Sequence, residues 1–223
     1  MNRSEQISRT EEFVRQNQQG YDSGHDWWHI LRVRNLALFI NEVELLADPF
    51  KVDVAALLHD TADSKFAGKN NEQGYELISD FMDKNGMSEI REQVLNVIKN
   101  ISFSNKKKSA VKDDPLLWVI QDADRLDAIG AIGIARAFNY GGFRNNKIYH
   151  PGVMNPDNGE TGYSKSGTSS TISHFYEKLL LLKYRMNTLT ARRLAEERHE
   201  FLEAFLKQFY KEWEFSTGTS KNI

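Results

Sequence analysis

Apolar residues return at three- and four-residue steps along almost the whole chain, and no stretch convincingly shows the strict alternation of a half-buried strand. A chain written this way folds by packing helices, so an all-α bundle is expected. The last helix shows the pattern best. Leu202, Phe205, Leu206, Phe209 and Trp213 fall on one stripe, Arg192, Glu196, Lys207 and Lys211 fall elsewhere, and Thr190 reads as the opening residue. Ser4 reads as the cap of a first helix running to about Gln19, just ahead of Gly20, and a second helix is expected from His25 to about Val43. Asp48 and Pro49 have the character of a cap and first turn for the next, which carries Val54, Ala55, Leu57 and Leu58 up to His59. Further helices are expected over Asn71–Lys84, from a Ser88 cap to about Ile101, and from Asp114 and Pro115 through Asp124 to about Phe138.

With 223 residues, 40% of them hydrophobic, the chain can bury one sizeable core, so a single domain over residues 1–215 is expected, with 216–223 as a frayed tail. One region departs from the helical grammar. Between Asn139 and Ser170 the chain holds six of its fourteen glycines and two of its four prolines, interleaved with Tyr140, Phe143, Tyr149 and Tyr163. A long Gly-rich loop before the C-terminal helices is expected there, and its aromatics, able to stack on a base, favour a lid over a plain linker.

Lys and Arg number 29 against 31 Asp and Glu, a formal charge of −2, which excludes a global basic field for a nucleic-acid polymer. An anionic substrate has to be met locally. The absence of cysteine excludes disulfides, thiolate-bound zinc and a cysteine nucleophile. The opening MNRSEQISRTEEF is polar, and Leu179 to Leu182, the longest strongly apolar run, is far too short to span a bilayer. A cytoplasmic protein without a membrane partner is expected, working as a monomer or homodimer.

Against this background a few polar residues sit where helix packing gives no reason for them. His59 and Asp60 end the apolar run AALLHD, and a carboxylate buried there without a partner costs several kcal/mol. The helix IQDADRLDAIGAIGIARAF carries Asp122, Asp124 and Asp127 among Ile, Leu, Ala and Gly, with Arg125 and Arg136 available as ordinary counter-charges. His25 and His29 stand four apart, as in zinc proteases, but those need a glutamate after the first histidine, whereas Asp26 is one methylene shorter. That pairing also leaves His59 and Asp60 without a role. Two imidazoles and two carboxylates converging from three helices, His29, His59, Asp60 and Asp124, suit a divalent transition ion with positions left for water and substrate.

The order H, HD, D, within GHDWWHILRV, AALLHDTADSKF and DADRLDAIGAIGIARAF, together with HFYEKLLLLKYRMNTLTARRLAEERHEF, resembles the HD-domain phosphohydrolase superfamily and its small bacterial YpgQ/YedJ-like subgroup. The resemblance spans most of residues 20 to 213. It implies an all-helical HD-domain bundle with His29, His59, Asp60 and Asp124 on one ion, and it favours Asp124, the aspartate before Arg-Leu, over Asp127. Members with two ions have extra histidines between the doublet and the last aspartate. None occurs here between Asp60 and Asp124, so a mononuclear centre follows.

The activity implied is hydrolysis of a (deoxy)nucleoside triphosphate to monophosphate and pyrophosphate by a metal-activated water. A nucleotide 5′-monophosphatase, another HD phosphodiesterase or a non-catalytic nucleotide-sensing module are the alternatives. Manganese is the first expectation for the ion, with Fe, Co, Ni, Zn or Mg behind it. Related enzymes place a carboxylate three residues past the doublet, which makes Asp63 the candidate base. Lys65 and Lys178 are the preferred phosphate-facing cations, with Arg32 and Arg125 as further candidates. His25 and His174 are expected to support the site or protonate the leaving group.

Overall fold

A computed structural model describes residues 1–17, 26–62, 71–101, 113–151 and 170–217. Among them every regular element is helical, which meets the all-α expectation: α1 Arg3–Asn17, α2 Trp27–Glu44, α3 Pro49–Leu58, α4 Asn71–Lys84, α5 Ser88–Asn100, α6 Pro115–Asp127, α7 Gly130–Phe143, α8 Thr171–Glu177, a 3-10 helix Leu179–Arg185, and α9 Leu189–Thr217. The backbone divides into two compact units, residues 1–127 with 186–191, and residues 128–185 with 192–223.

The first unit is built around α3. Val52, Val54, Ala55, Ala56, Leu57 and Leu58 are all fully buried, as expected of a helix apolar on every side, and α1, α2, α5 and α6 pack around it. Asp48 caps α3 by accepting from the Phe50 N–H at 2.8 Å, and Pro49 fills its first turn, as the sequence indicates. Arg34 of α2 ties two other helices by pairing with Asp53 of α3 and with Glu11 of α1.

Several boundaries differ from expectation for reasons visible in the caps. The α1 cap is Asn2, not Ser4. Its side chain accepts from the Glu5 N–H at 2.9 Å while the Glu5 carboxylate accepts from the Asn2 N–H at 3.1 Å, a reciprocal capping box. Ser88 is already inside α5 and donates its hydroxyl to Asp83 at 2.6 Å. The first turn of α9 is capped by Thr188 rather than Thr190, the Thr188 hydroxyl accepting from the Ala191 N–H at 3.2 Å. The helix expected from Asp114 to Phe138 is two helices, because Gly130 turns the chain in the left-handed region at φ 77°.

Gly74 of α4 sits against the segment that follows the doublet. A β-carbon there would lie 2.7 Å from the Ala62 Cα and 2.9 Å from its carbonyl oxygen, backbone atoms that cannot rotate away. Gly74→Ala is expected to cost about 1–3 kcal/mol of stability, read by urea denaturation. An unchanged denaturation midpoint counts against this contact.

In the second unit Phe138, Phe175 and Phe205 meet with centroids 5.7–6.0 Å apart, and Phe175 is fully buried. The α9 stripe is core here. Helix α7 runs on through Gly141 and Gly142, which the sequence places beyond its end; the hydroxyl of Thr171 lies 2.2 Å from where a Gly141 β-carbon would stand, so only glycine fits. Tyr149 is spent on packing rather than on a base, edge-on to Phe209, Tyr210 and Trp213 at 4.9–5.7 Å. The rest of the expected lid, residues 152–169, lies outside the described residues, as do the tail residues beyond Thr217.

Candidate metal centre

Three helices of the first unit bring the site together. Asp26 caps α2 by accepting the His29 N–H at 2.8 Å, which seats His29 in the first turn with its ring fully buried. The carboxylate once considered for protease chemistry is thus a helix cap. His59 and Asp60 come where α3 ends, and Asp124 projects from α6, three residues before its last residue, Asp127.

The Nε2 atom of His29 is the hub. It lies 3.4 Å from Nε2 of His59, 3.3 Å from Oδ2 of Asp60 and 3.6 Å from Oδ1 of Asp124, and His59 Nε2 is 3.6 Å from Asp60 Oδ2. Atoms of His29, His59 and Asp124 all lie within 4.8 Å of one another. Neighbouring ligands of an ion bound at about 2.1 Å stand roughly 3.0 Å apart in octahedral and roughly 3.4 Å apart in tetrahedral coordination, so the spacing matches. The protonation pattern fits too. A carbonyl can only accept, so His59 Nδ1, 2.7 Å from the Ala56 oxygen, carries the proton and leaves the Nε2 lone pair facing the cluster. His29 presents the same face, with Nδ1 2.7 Å from Oδ2 of Asp127. Two imidazole lone pairs with the Asp124 carboxylate beside them are a donor set for a divalent transition ion, and an Asp60 oxygen lies near both ring nitrogens.

Asp127 itself is almost wholly buried and is gripped by Arg32, through Nε to Oδ1 at 2.7 Å and Nη2 to Oδ2 at 3.0 Å. Those bonds hold the Arg32 guanidinium above its ordinary pKa against the opposing effect of burial. The third acid, Asp122, accepts from the backbone and side chains of Asn187 and Thr188. Three acids that look alike in sequence therefore face a candidate metal cluster, a histidine and a chain segment.

Of the other expected residues, His25, Asp63 and Lys65 lie outside the described residues. Arg125 donates to Gln121 at 3.1 Å and stands 3.6 Å from Asp122. His174 and Lys178 belong to the second unit, where Lys178 caps α8 through its N–H to the His174 carbonyl at 3.0 Å. Burial, helped by the Lys178 charge, lowers the His174 pKa from 6.5 to about 4. An unfolded chain takes up this proton near pH 6.5 while the folded one does so only near 4, so stability is full above 6.5 and falls as pH drops through that window. The loss is at most roughly 3 kcal/mol. His174→Asn is expected to flatten the decline of melting temperature between pH 7 and 5, and a decline as steep as that of the parent protein would refute the assignment.

An HD domain model matches residues 27–129, the stretch that holds all four candidate ligands. The chain belongs to the HD-domain family and stands with the HD-superfamily hydrolases. Among its relatives is YpgQ of Bacillus subtilis, 40% identical over 193 residues that cover 85% of each chain. A crystal structure of Bacillus subtilis YpgQ in complex with ADP matches at a TM-score of 0.71 with 35% identity, covering 92% of this chain and 97% of that one. An HD-superfamily hydrolase from Bacillus thuringiensis matches at 0.74 with 38% identity, covering 96% and 99%. Among the described residues no helix is long and apolar enough to cross a membrane.

Proposed function

We propose that this protein is a cytoplasmic, metal-dependent phosphohydrolase that cleaves a (deoxy)nucleoside triphosphate between its α and β phosphates, releasing the monophosphate and pyrophosphate. The observation that carries the reading is the meeting of His59, Asp60 and Asp124 within 3.3–3.6 Å of Nε2 of His29. The complex of the related YpgQ with ADP supports a nucleotide as ligand.

A divalent ion, manganese in the first instance, supplies the activated water and neutralises phosphate charge when bound. The chain's own residues do the rest. His29 and His59 hold their rings with Nε2 forward, and Asp60 and Asp124 set the charge of the site. Asp63 is the candidate base for the attacking water, with Lys65 and His25 beside it in the proposal. Arg125, Lys178 and His174 are the proposed partners for phosphate oxygens and leaving group. Arg32, a further phosphate-facing candidate, gives two of its N–H donors to Asp127.

Purified protein supplied with manganese and a nucleotide panel, with phosphate and pyrophosphate measured separately, is expected to release pyrophosphate in step with the monophosphate. Phosphate alone would point to a monophosphatase. No product at full metal occupancy would point to a nucleotide sensor.

A further inference from the structure

We infer that Arg32 and Asp127 are a positioning pair that fixes the His29 ring for the ion, an inference that rests on the metal reading of the site. The two residues repeat the layout of the ligands they serve. On α2, Arg32 follows His29 by three residues, and on α6, Asp127 follows Asp124 by three, so each helix carries a ligand and, one turn on, a member of the pair. Where the helices meet, the contacts run Arg32 to Asp127 to His29, through bonds of 2.7 and 3.0 Å and then 2.7 Å.

Asp127 cannot join the ligand set while it holds this place, because its oxygens face Nδ1 and the guanidinium and the ion's ligand is Nε2, across the ring. What it does instead is keep the proton on Nδ1 and prevent the ring from turning. Its burial demands a counter-charge, and Arg32 provides one in a two-bond fork that also fixes the plane of the carboxylate. Two of the five N–H donors of Arg32 are held by Asp127. The contrast with His59 sharpens the assignment, since among the described residues Nδ1 of that ring meets a backbone carbonyl where Nδ1 of His29 meets a carboxylate.

The first test needs no variant. In protein stripped of metal and labelled with 15N at histidine, long-range proton–nitrogen correlation spectra are expected to show His29 protonated at Nδ1. A ring protonated at Nε2 alone overturns the pair. Manganese titration by calorimetry then compares Asp127→Ala, Asp127→Asn and Arg32→Met, each checked for folding by circular dichroism. Alanine is expected to weaken manganese binding by about 10–100-fold, asparagine, whose amide oxygen can still accept from Nδ1–H, by less, and Arg32→Met by an intermediate factor. With manganese saturating, KM for the nucleotide should stay near that of the parent protein in Arg32→Met. Unchanged manganese affinity in Asp127→Ala, or in Arg32→Met a raised KM with unchanged affinity, overturns the assignment. If the parent protein takes up manganese but hydrolyses nothing, the catalytic reading fails alone, because the tautomer and the affinities still decide the pair.

Discussion

His59→Ala is expected to lower nucleotide hydrolysis by about 10³-fold or more, which corresponds to about 4 kcal/mol of lost barrier reduction. The ring offers the Nε2 lone pair 3.4 Å from that of His29, and its removal leaves the ion one imidazole short. Folding should be little affected, since the one hydrogen bond that His59 donates through Nδ1 stays within its own helix turn. Ligands of one ion act as a unit, so under the proposed reading combining His59→Ala with Asp124→Ala should cost hardly more than either alone. A thermal readout separates lost metal from lost chemistry. A divalent ion at a hundredfold over its dissociation constant should stabilise the parent protein by about 2.7 kcal/mol, and no such shift should appear in the variant. Activity within tenfold of the parent would end the metal-centre reading.

Asp122→Ala is expected to produce the largest loss of stability, about 3–5 kcal/mol, without touching the ion. The side chain is fully buried, and burial pushes its carboxyl above the usual range while the bonds from Asn187 and Thr188 and the Arg125 charge pull the other way. It receives the Asn187 and Thr188 backbone N–H groups at 2.7–2.9 Å together with the Asn187 amide and the Thr188 hydroxyl at 2.9 Å. Alanine strands these donors, each of which then carries its own desolvation cost. Asp122→Asn keeps one accepting oxygen and should lose roughly half as much. At about 2–4 °C per kcal/mol for a chain of this size, alanine should lower the melting temperature by roughly 6–20 °C. A loss below about 1 kcal/mol would show that the cluster is not an anchor.

The two carboxylates that flank Asp124 show what a sequence can and cannot convey. Helix, cap and doublet were legible at α3 because Asp48, Pro49, the apolar run and His59–Asp60 follow one another locally. The candidate cluster was legible because its members stand out at three separate places in the chain and the family pattern ties them together. Only the family resemblance favoured Asp124 over Asp127 in advance; the roles of Asp122 and Asp127 were not legible, since each is defined by a partner 65 or 98 residues away along the chain. The spacing of Asp127 from Asp124 matches that of Arg32 from His29, and that match was the available hint. The break after α6 was hidden for a different reason. Ala128 and Ile129 suit a continuing helix, and only the left-handed Gly130 interrupts it. At α1 and α9 the caps fell two residues from expectation because Asn2 and Thr188 compete with Ser4 and Thr190, all residue types that cap well.

The two rings at the centre differ in what mutation can reach. The acceptor behind His59 is a main-chain oxygen of Ala56, one of the carbonyls that any helix leaves over at its C-terminal end, and every residue type at position 56 would supply it. The acceptor behind His29 is a side chain, open to exchange in one step. Natural drift and laboratory selection alike should therefore alter ion preference in this lineage through position 127 and its arginine, while the half of the centre built on the doublet stays constant.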